Sequence, residues 1–263
     1  MTAIIKQEMK LNLKSMLIWA LTVGGLGFIC ILMYTSMEGE VMEMADSFSE
    51  MGAFSDAFGM STLSIASIAG FFATEVGTVH GLGSVMFAAF FACSMLSKEE
   101  DGHTGEFLFS LPVSRGKVIT GKGITILVCL ILFTLICGVF YVLGFVFLKE
   151  EIPAAELARF LGSMLLMNIE TASLSYLVSA TSSKTRMGLS LGISLVLYIY
   201  DILGRVVPSM KDYLFIGPFS YANASEIFAK IDAPRYSFPV AACIILLAAA
   251  ATYFTYTRKD LAS

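Results

Sequence analysis

The stretch GKVITGKGIT, residues 116–125, has the spacing of a loop that binds the phosphates of a nucleotide. Gly116, Gly121 and Lys122 match the form G-x-x-x-x-G-K-[ST], in which backbone N–H groups and the lysine contact phosphates and a final hydroxyl binds Mg²⁺. Gly123 stands where that hydroxyl is required, and an apolar run follows instead of an α/β domain. We therefore expect no ATP site in this chain, and we expect Lys122 to extend to a membrane interface as an anchor.

A second candidate for chemistry is the pair Asn168 and Glu170, which interrupts another apolar segment. An acid at the centre of a membrane helix costs about 2.5 to 3.5 kcal/mol on insertion scales, so Glu170 is expected to face another helix or a translocation path. Two roles stay open at this point. One is a path-lining or proton-linked role, and the other is a structural hydrogen bond to a neighbouring span.

Other kinds of site find little support in the sequence. The two histidines, His80 and His103, are expected on opposite sides of a membrane, so a centre built on histidine is not expected. The five cysteines fall inside apolar segments without paired spacing, which predicts neither a disulfide framework nor a zinc site. We expect no catalytic residue and no metal ligand in this chain.

The composition indicates which elements must position these residues. Apolar residues make up 57% of the chain and charged residues 14%, and the mean hydropathy is +0.79, values typical of a polytopic membrane protein. A bilayer core needs about 20 predominantly apolar residues per helix. The fold class we predict is an all-α integral membrane protein with six spans, at residues 15–37, 76–97, 123–148, 157–180, 187–207 and 238–256.

The distribution of Lys and Arg predicts the orientation of these spans. Eleven of the 17 Lys and Arg residues fall at the N-terminus, after spans two and four, and in the C-terminal tail, so these parts are expected in the cytoplasm. The segment 38–75 has seven acids and no Lys or Arg, which indicates an outer loop. Within it, residues 57–74 carry no charge, and we expect an outer interfacial or re-entrant helix there.

The N-terminal residues 1–14 have the pattern of an amphipathic helix. Ile5, Met9 and Leu13 recur every four residues, with Lys6, Lys10 and Lys14 one position later. We expect this helix to lie flat on the cytoplasmic leaflet, where its lysines meet anionic lipid, ahead of a single transmembrane domain at 15–263. The alternative is a plain cytosolic extension of span one.

The cytosolic loop at 98–122 contains an element that an ordinary turn does not need. An acidic start is followed by the apolar run 107–111, then by Pro112, which ends a short helix, and by Ser114, which can cap the helix leading into span three. A helix that docks on a partner needs those apolar side chains. An ordinary interfacial loop is the alternative.

At this loop the sequence resembles a family. Its pattern is an acidic pair, then G-x-hydrophobic, then L-x-x-P-[VI]-S-R and a lysine before a span, and it is similar to that of type-2 ABC exporter permeases, bacterial membrane proteins with six spans. The residues that match are Glu99, Glu100, Gly105, Glu106, Leu108, Pro112, Ser114, Arg115 and Lys122. Gly105 directly precedes Glu106, where the family has an intervening residue. The tail TRKDL at 257–261 and the six-span layout extend the resemblance over nearly the whole chain.

The resemblance implies a division of labour between subunits. The loop between spans two and three would be a coupling helix that inserts into a separate ATPase subunit, so that ATP and magnesium are bound there and not here. We expect Glu106 and Arg115 to make polar contacts with that ATPase, and Phe107 and Leu111 to make apolar ones. The residues expected to take part in coupling are Glu99, Glu100, Glu106, Phe107, Leu111, Pro112, Ser114 and Arg115.

The resemblance also implies the partners. They are two cytosolic ABC ATPase subunits, a second copy of this chain or a similar permease, and membrane lipid, with no nucleic acid. The implied function is ATP-driven export across the plasma membrane, and amphipathic or antimicrobial peptides are the substrate class we favour. Two other classes remain: a secondary transporter that uses Glu170 and Asp201 for ion coupling, and a membrane scaffold or sensor that does not transport.

Overall fold

The computed structural model describes residues 1–104 and 113–259, and throughout these residues the regular structure is helical. The α-helices, in chain order, are α1 (Thr2–Ser49), α2 (Ala53–Phe58), α3 (Ile68–Phe71), α4 (Gly77–Cys93), α5 (Lys98–Asp101), α6 (Arg115–Leu148), α7 (Ala154–Thr181), α8 (Met187–Val206), α9 (Ala224–Phe228) and α10 (Ser237–Arg258). A π-helical turn at Phe72–Val76 joins α3 to α4, and 3₁₀ turns cover Pro208–Ile216 and Pro218–Tyr221. The predicted all-α class is confirmed.

Within the described residues, five helices are long and apolar enough to cross a membrane: Thr2–Met37, Ile68–Cys93, Arg115–Leu148, Met187–Val206 and Ser237–Arg258. The predicted count of six spans is therefore not confirmed. The predicted span that is missing from these five is the fourth, at 157–180, which lies in the 28-residue helix α7. The polar side chains of α7, such as Asn168, Glu170 and Ser175, are buried within the protein, which explains how a less apolar helix can occupy the bundle.

The helices pack around α7. Helix α7 contacts α4 on one side and α10 on the other, and α1 packs along α6. Glycines allow α1 and α6 to approach closely: a Cβ on Gly27 would lie 2.4 Å from Cε1 of Tyr141, and one on Gly144 would lie 2.8 Å from Cδ1 of Ile31. Small residues at helix contacts have this effect in membranes, where close van der Waals packing drives association.

Aromatic rings fill the centre of the bundle. The Phe72 ring lies 5.1 to 5.7 Å, between centroids, from the rings of Tyr141, Phe145, Phe160 and Phe228. Its neighbours come from three different helices, so this one ring joins α6, α7 and α9 to the start of the second span. Contacts of this kind add about 0.5 to 1.5 kcal/mol each beyond burial.

The structure corrects the prediction of a separate interfacial helix at residues 1–14. Helix α1 continues without a break from Thr2 to Ser49, so these residues are the N-terminal extension of the first span. The face of this extension that packs on the protein contains Glu8, which is 5% exposed, together with Ile5 and Met9, while Leu13 is exposed. The contacts of residues 1–14 with α6 hold this part of α1 in line with the first span.

The helical content of three predicted segments differs from the expectation. Helix α1 extends to Ser49, so the first part of the predicted outer loop at 38–75 is helical, while its place outside the membrane stays a prediction. Residues 57–74 do not form one interfacial or re-entrant helix: α2 ends at Phe58, irregular chain follows, and α3 begins the second span at Ile68. The loop predicted at 98–122 ends at Ser114, because Arg115 already belongs to α6.

Candidate functional site: the ion network at one end of the bundle

Both ends of the described chain meet at one end of the bundle, which we call the terminal end. It contains Glu8 of α1, Lys98 of α5, Lys122 of α6 and Lys259 after α10. The opposite end, which we call the far end, contains the start of α7 and the end of α8. The segment 105–112, which includes four of the eight expected coupling residues, follows α5 in the chain and precedes α6.

Lys122 is the centre of the terminal end. Its ammonium group donates to Glu99 Oε1 and to the backbone carbonyl of Met95, and it lies 3.5 Å from Glu8 Oε1. The side chain is 1% exposed. A buried ammonium group is tolerated only when it is paired and hydrogen-bonded, and these three oxygens meet that requirement.

Glu8 extends the network to α1. Its Oε2 accepts a hydrogen bond from Lys98 Nζ and another, at 3.2 Å, from Asn12 Nδ2. One carboxylate therefore bridges Lys98 and Lys122, which lie on the two sides of segment 105–112. Movement of α5 relative to α6 would change both contacts.

The C-terminal end of α10 is attached to the same network. Lys259 Nζ donates to Glu100 Oε1 at 2.6 Å and to the carbonyl of Ser182 at 2.9 Å. The guanidinium of Arg115 donates to the carbonyls of Tyr256, Thr257 and Lys259. A cation near the last carbonyls of a helix also interacts favourably with the helix dipole.

Two further contacts hold the chain between α4 and α5. The hydroxyl oxygen of Ser179, on α7, accepts hydrogen bonds from the backbone N–H groups of Leu96 and Ser97 at 2.9 and 3.0 Å. Asp101 Oδ2 accepts a hydrogen bond from the backbone N–H of Thr185 at 3.1 Å, and this bond holds the pKa of Asp101 below its ordinary value. The residues that lead into segment 105–112 are thus bonded to α7 and to the chain after it.

The structure brings four of the expected coupling residues to this end: Glu99, Glu100, Ser114 and Arg115. Ser114 is the N-cap of α6, and its hydroxyl accepts from the backbone N–H of Lys117 at 3.4 Å, as predicted for a cap. Glu99, Glu100 and Arg115 make contacts within the chain. The other four expected residues, Glu106, Phe107, Leu111 and Pro112, lie outside the described residues.

The phosphate-loop pattern is not a loop in the structure. Residues 116–125 all lie within α6, so their backbone N–H groups do not form a cradle for phosphates. The expectation that Lys122 extends to the interface is wrong, because its side chain is buried in the ion network. Charged partners from α1 and α5, which the local sequence does not reveal, hold it inside.

Asn168 and Glu170 are both buried on α7, but they face different neighbours. Asn168 Oδ1 accepts from Ser84 Oγ at 3.1 Å, and its Nδ2 has no partner among the described residues. Glu170 Oε2 accepts from the hydroxyl of Tyr221 at 2.7 Å. Glu170 therefore has a hydrogen bond within the protein, but its partner lies in the 3₁₀ turn Pro218–Tyr221 and not in a neighbouring span as expected.

Other polar contacts were partly visible in the sequence. Asp201 and Arg205, four residues apart on α8, form an ion pair at 2.8 Å, and Glu226 joins Arg205 from α9 at 2.6 Å. His80 is fully buried, and its Nδ1 lies 2.7 Å from the hydroxyl of Tyr141 on α6. No local pattern predicted the contacts of Glu226, Glu8, Tyr141 or Lys259. For Glu8 the available signal was an acid among basic residues on the first helix.

Within the described residues, no group of three or more His, Cys, Asp or Glu side chains could hold a metal ion. Comparison with protein families gives one finding: the family described as ABC-2 family transporter protein matches residues 2–261. No match was found among curated proteins.

Proposed function

Because the chain belongs to the ABC-2 family of transporter proteins, it is a membrane-spanning subunit of an ABC transporter, and we propose that it is the permease of an ATP-driven exporter. Its coupling segment would be residues 98–115, which transmit the state of a separate ATPase to the transmembrane helices. ATP and magnesium would be bound by that ATPase.

The observation that supports this proposal most strongly is the double attachment of the segment. On its N-terminal side, Lys98 and Glu99 bind Glu8 and Lys122, and Glu100 binds Lys259. On its C-terminal side, Arg115 binds carbonyls at the end of α10. A force applied to residues 105–112 would therefore reach α1, α6 and α10 through ionic contacts.

The mechanism follows from a two-state equilibrium. ATP binding can shift the permease between inward and outward access only if the ATPase binds one of the two states better. The ion network would differ between the two states. Glu8 bridges Lys98 and Lys122, and the distance between these lysines depends on the position of α5. A buried ion pair that loses one partner costs about 3 to 5 kcal/mol. We therefore expect α1 and α6 to move together with residues 98–115 rather than lose these contacts.

The rest of the proposed assembly follows from the family. Two ATPase subunits would bind two permeases, either two copies of this chain or this chain and a similar one, in a plasma membrane with the terminal end in the cytoplasm. Helix α7 would be the fourth of six spans, since its polar groups are turned inward. We propose amphipathic peptides, including antimicrobial ones, as the exported class.

The test is copurification of ATPase subunits with the membrane protein in mild detergent. The variants are Arg115→Glu and Phe107→Ala, and the matched control is Glu150→Ala, an exposed acid just after α6. The native chain and the control should copurify with an ATPase, and the ATPase activity should be stimulated when the two subunits are reconstituted together. Phe107→Ala should lose the ATPase, and Arg115→Glu should keep it while losing the coupled stimulation.

Two outcomes would overturn the proposal. If no ATPase copurifies with the native chain, a coupling role for residues 98–115 is wrong, and an ion-coupled transporter or a scaffold takes its place. If an ATPase copurifies equally with Phe107→Ala and responds normally in Arg115→Glu, the contact surface lies elsewhere on the chain.

A further inference from the structure

A cavity of about 500 Å³ lies at the far end of the bundle, between α7, α9 and the start of α10. Its lining combines charged and aromatic groups: Arg159, Tyr221, Glu226, Asp232 and Phe238. It does not include the ion network at the terminal end, so coupling to an ATPase does not account for it.

A second space of about 500 Å³ lies beside it, between α6 and α7. This groove is apolar and is lined by side chains such as Leu135, Val142, Leu161 and Leu165. Leu135 is 61% exposed, so the groove faces the surroundings of the bundle. Gly162 lines both the cavity and the groove, and a Cβ placed on it would meet no atom within 4 Å.

Charges of both signs stand at the far end beside the cavity. Arg159 Nη2 lies 3.8 Å from Asp232 Oδ1, a separation too long for a hydrogen bond, and both side chains are largely exposed. Lys230 pairs with Glu156 at 3.1 Å. Two bases and two acids within a short distance complement a ligand that carries one positive and one negative group.

We propose that the cavity and the groove together bind one zwitterionic glycerophospholipid. Its phosphate would bind Arg159, its ammonium group would bind Asp232, and one acyl chain would pass Gly162 into the groove between α6 and α7. Charge-assisted hydrogen bonds of this type are the strong ones. Lipid tails are as apolar as the groove, so the headgroup contacts supply the selectivity.

A second copy of this chain fits the same surface less well. The cores of protein interfaces are depleted of charged residues, whereas this cavity has Arg159 and Asp232 at its mouth. Gly162 lines both the cavity and the groove and leaves open space there, which suits a flexible chain.

The experiment is native mass spectrometry of the intact protein with defined lipids, comparing phosphatidylethanolamine with phosphatidylglycerol, which has no ammonium group. The wild type should retain one phosphatidylethanolamine molecule, more tightly than phosphatidylglycerol. Gly162→Leu should lose it, because the added side chain fills the passage. The matched control is Gly25→Leu on α1, where a Cβ also meets no atom within 4 Å, and it should retain the lipid.

The headgroup contact has its own variant. Arg159→Gln, at a half-exposed position that leaves the helix packing intact, should weaken retention by about tenfold or more, the effect of one lost charge-assisted hydrogen bond. A photoactivatable acyl chain should label peptides from α6 and α7.

Equal retention of the two lipids, or equal retention by Gly162→Leu and the wild type, would overturn the proposal. So would equal loss from Gly162→Leu and Gly25→Leu, because binding would then be non-specific. If Gly162→Leu instead converts a dimer into a monomer and no lipid is retained by the wild type, the surface is an interface between copies.

Discussion

Lys122 of α6 and Glu99 of α5 form a buried ion pair that joins the two sides of segment 105–112, at a position where the sequence alone predicts a lysine that reaches the membrane interface. The pair connects a short helix of four residues to one of 34. Because the lysine has no access to water, its partners determine both the stability of this end and the position of α5.

Replacing the lysine should therefore destabilise the protein strongly. Lys122→Met leaves the carboxylates of Glu8 and Glu99 without this partner, and we expect the free energy of unfolding to fall by about 3 kcal/mol or more. Thermal unfolding in detergent measures it, with Lys117→Met, an exposed lysine on the same helix, as the control. Adding Glu99→Gln to Lys122→Met should restore part of the loss. Equal unfolding temperatures for the two lysine variants would contradict a stabilising network.

Arg115 should hold the end of α10 in place. Arg115→Ala removes the donor to the carbonyls of Tyr256, Thr257 and Lys259, so the bonds after Arg258 and Lys259 should become more accessible to trypsin. The rate at which a C-terminal tag is lost measures this, and Lys117→Ala is the control. Unchanged proteolysis in Arg115→Ala would mean that Lys259 and Glu100 hold the helix end without it.

The hydrogen bond between Tyr141 and His80 should contribute to packing at the centre of the bundle. Tyr141→Phe keeps the ring and removes the hydroxyl, leaving both ring nitrogens of His80 without a protein partner among the described residues. We expect a loss of about 1 kcal/mol, because hydrogen bonds between membrane helices average somewhat less than that and an unpaired buried group adds to it. Tyr253→Phe, at an exposed ring on α10, is the control. A double-mutant cycle with His80→Leu that gives no coupling would refute the contact.

Glu170 and Tyr221 offer a way to separate structure from transport. Glu170→Gln keeps an oxygen that can accept the tyrosine hydrogen, so a structural role predicts near-normal stability and normal ATPase stimulation in the reconstituted complex. Tyr221→Phe should then be the less stable of the two variants. A Glu170→Gln protein that folds normally but has lost coupled activity would instead assign the carboxylate to the translocation path or to proton movement.

Much of the architecture follows from local patterns in the sequence. The apolar runs predicted all-α membrane structure, and Ser114 was identified as an N-cap, because helix formation and capping depend on residues a few positions apart. The pairing of Asp201 with Arg205 was visible for the same reason, since residues four apart share a helix face. The family was recognisable from the order of residues between Glu99 and Lys122.

The boundaries were less accurate where the apolar signal is weak. The second span begins eight residues earlier than predicted, at Ile68 rather than Val76, because Ser, Gly and Thr dilute the run that precedes it. The four-residue repeat of apolar and basic residues in 1–14 predicts an amphipathic helix on the membrane surface, but the backbone hydrogen bonds of α1 continue through Ser15 regardless of that repeat.

The sequence by itself determined that this chain crosses a membrane and that it belongs with ABC permeases, and it placed the proposed coupling segment after the second span. Only the tertiary structure decided what that segment is attached to. Glu8 and Lys122 are 114 positions apart, and Lys259 and Glu100 are 159 apart, so no local pattern could pair them. Ionic contacts depend on distance in space, and the packing of α1 on α6, and of α6 and α10 on α7, brings these charges together.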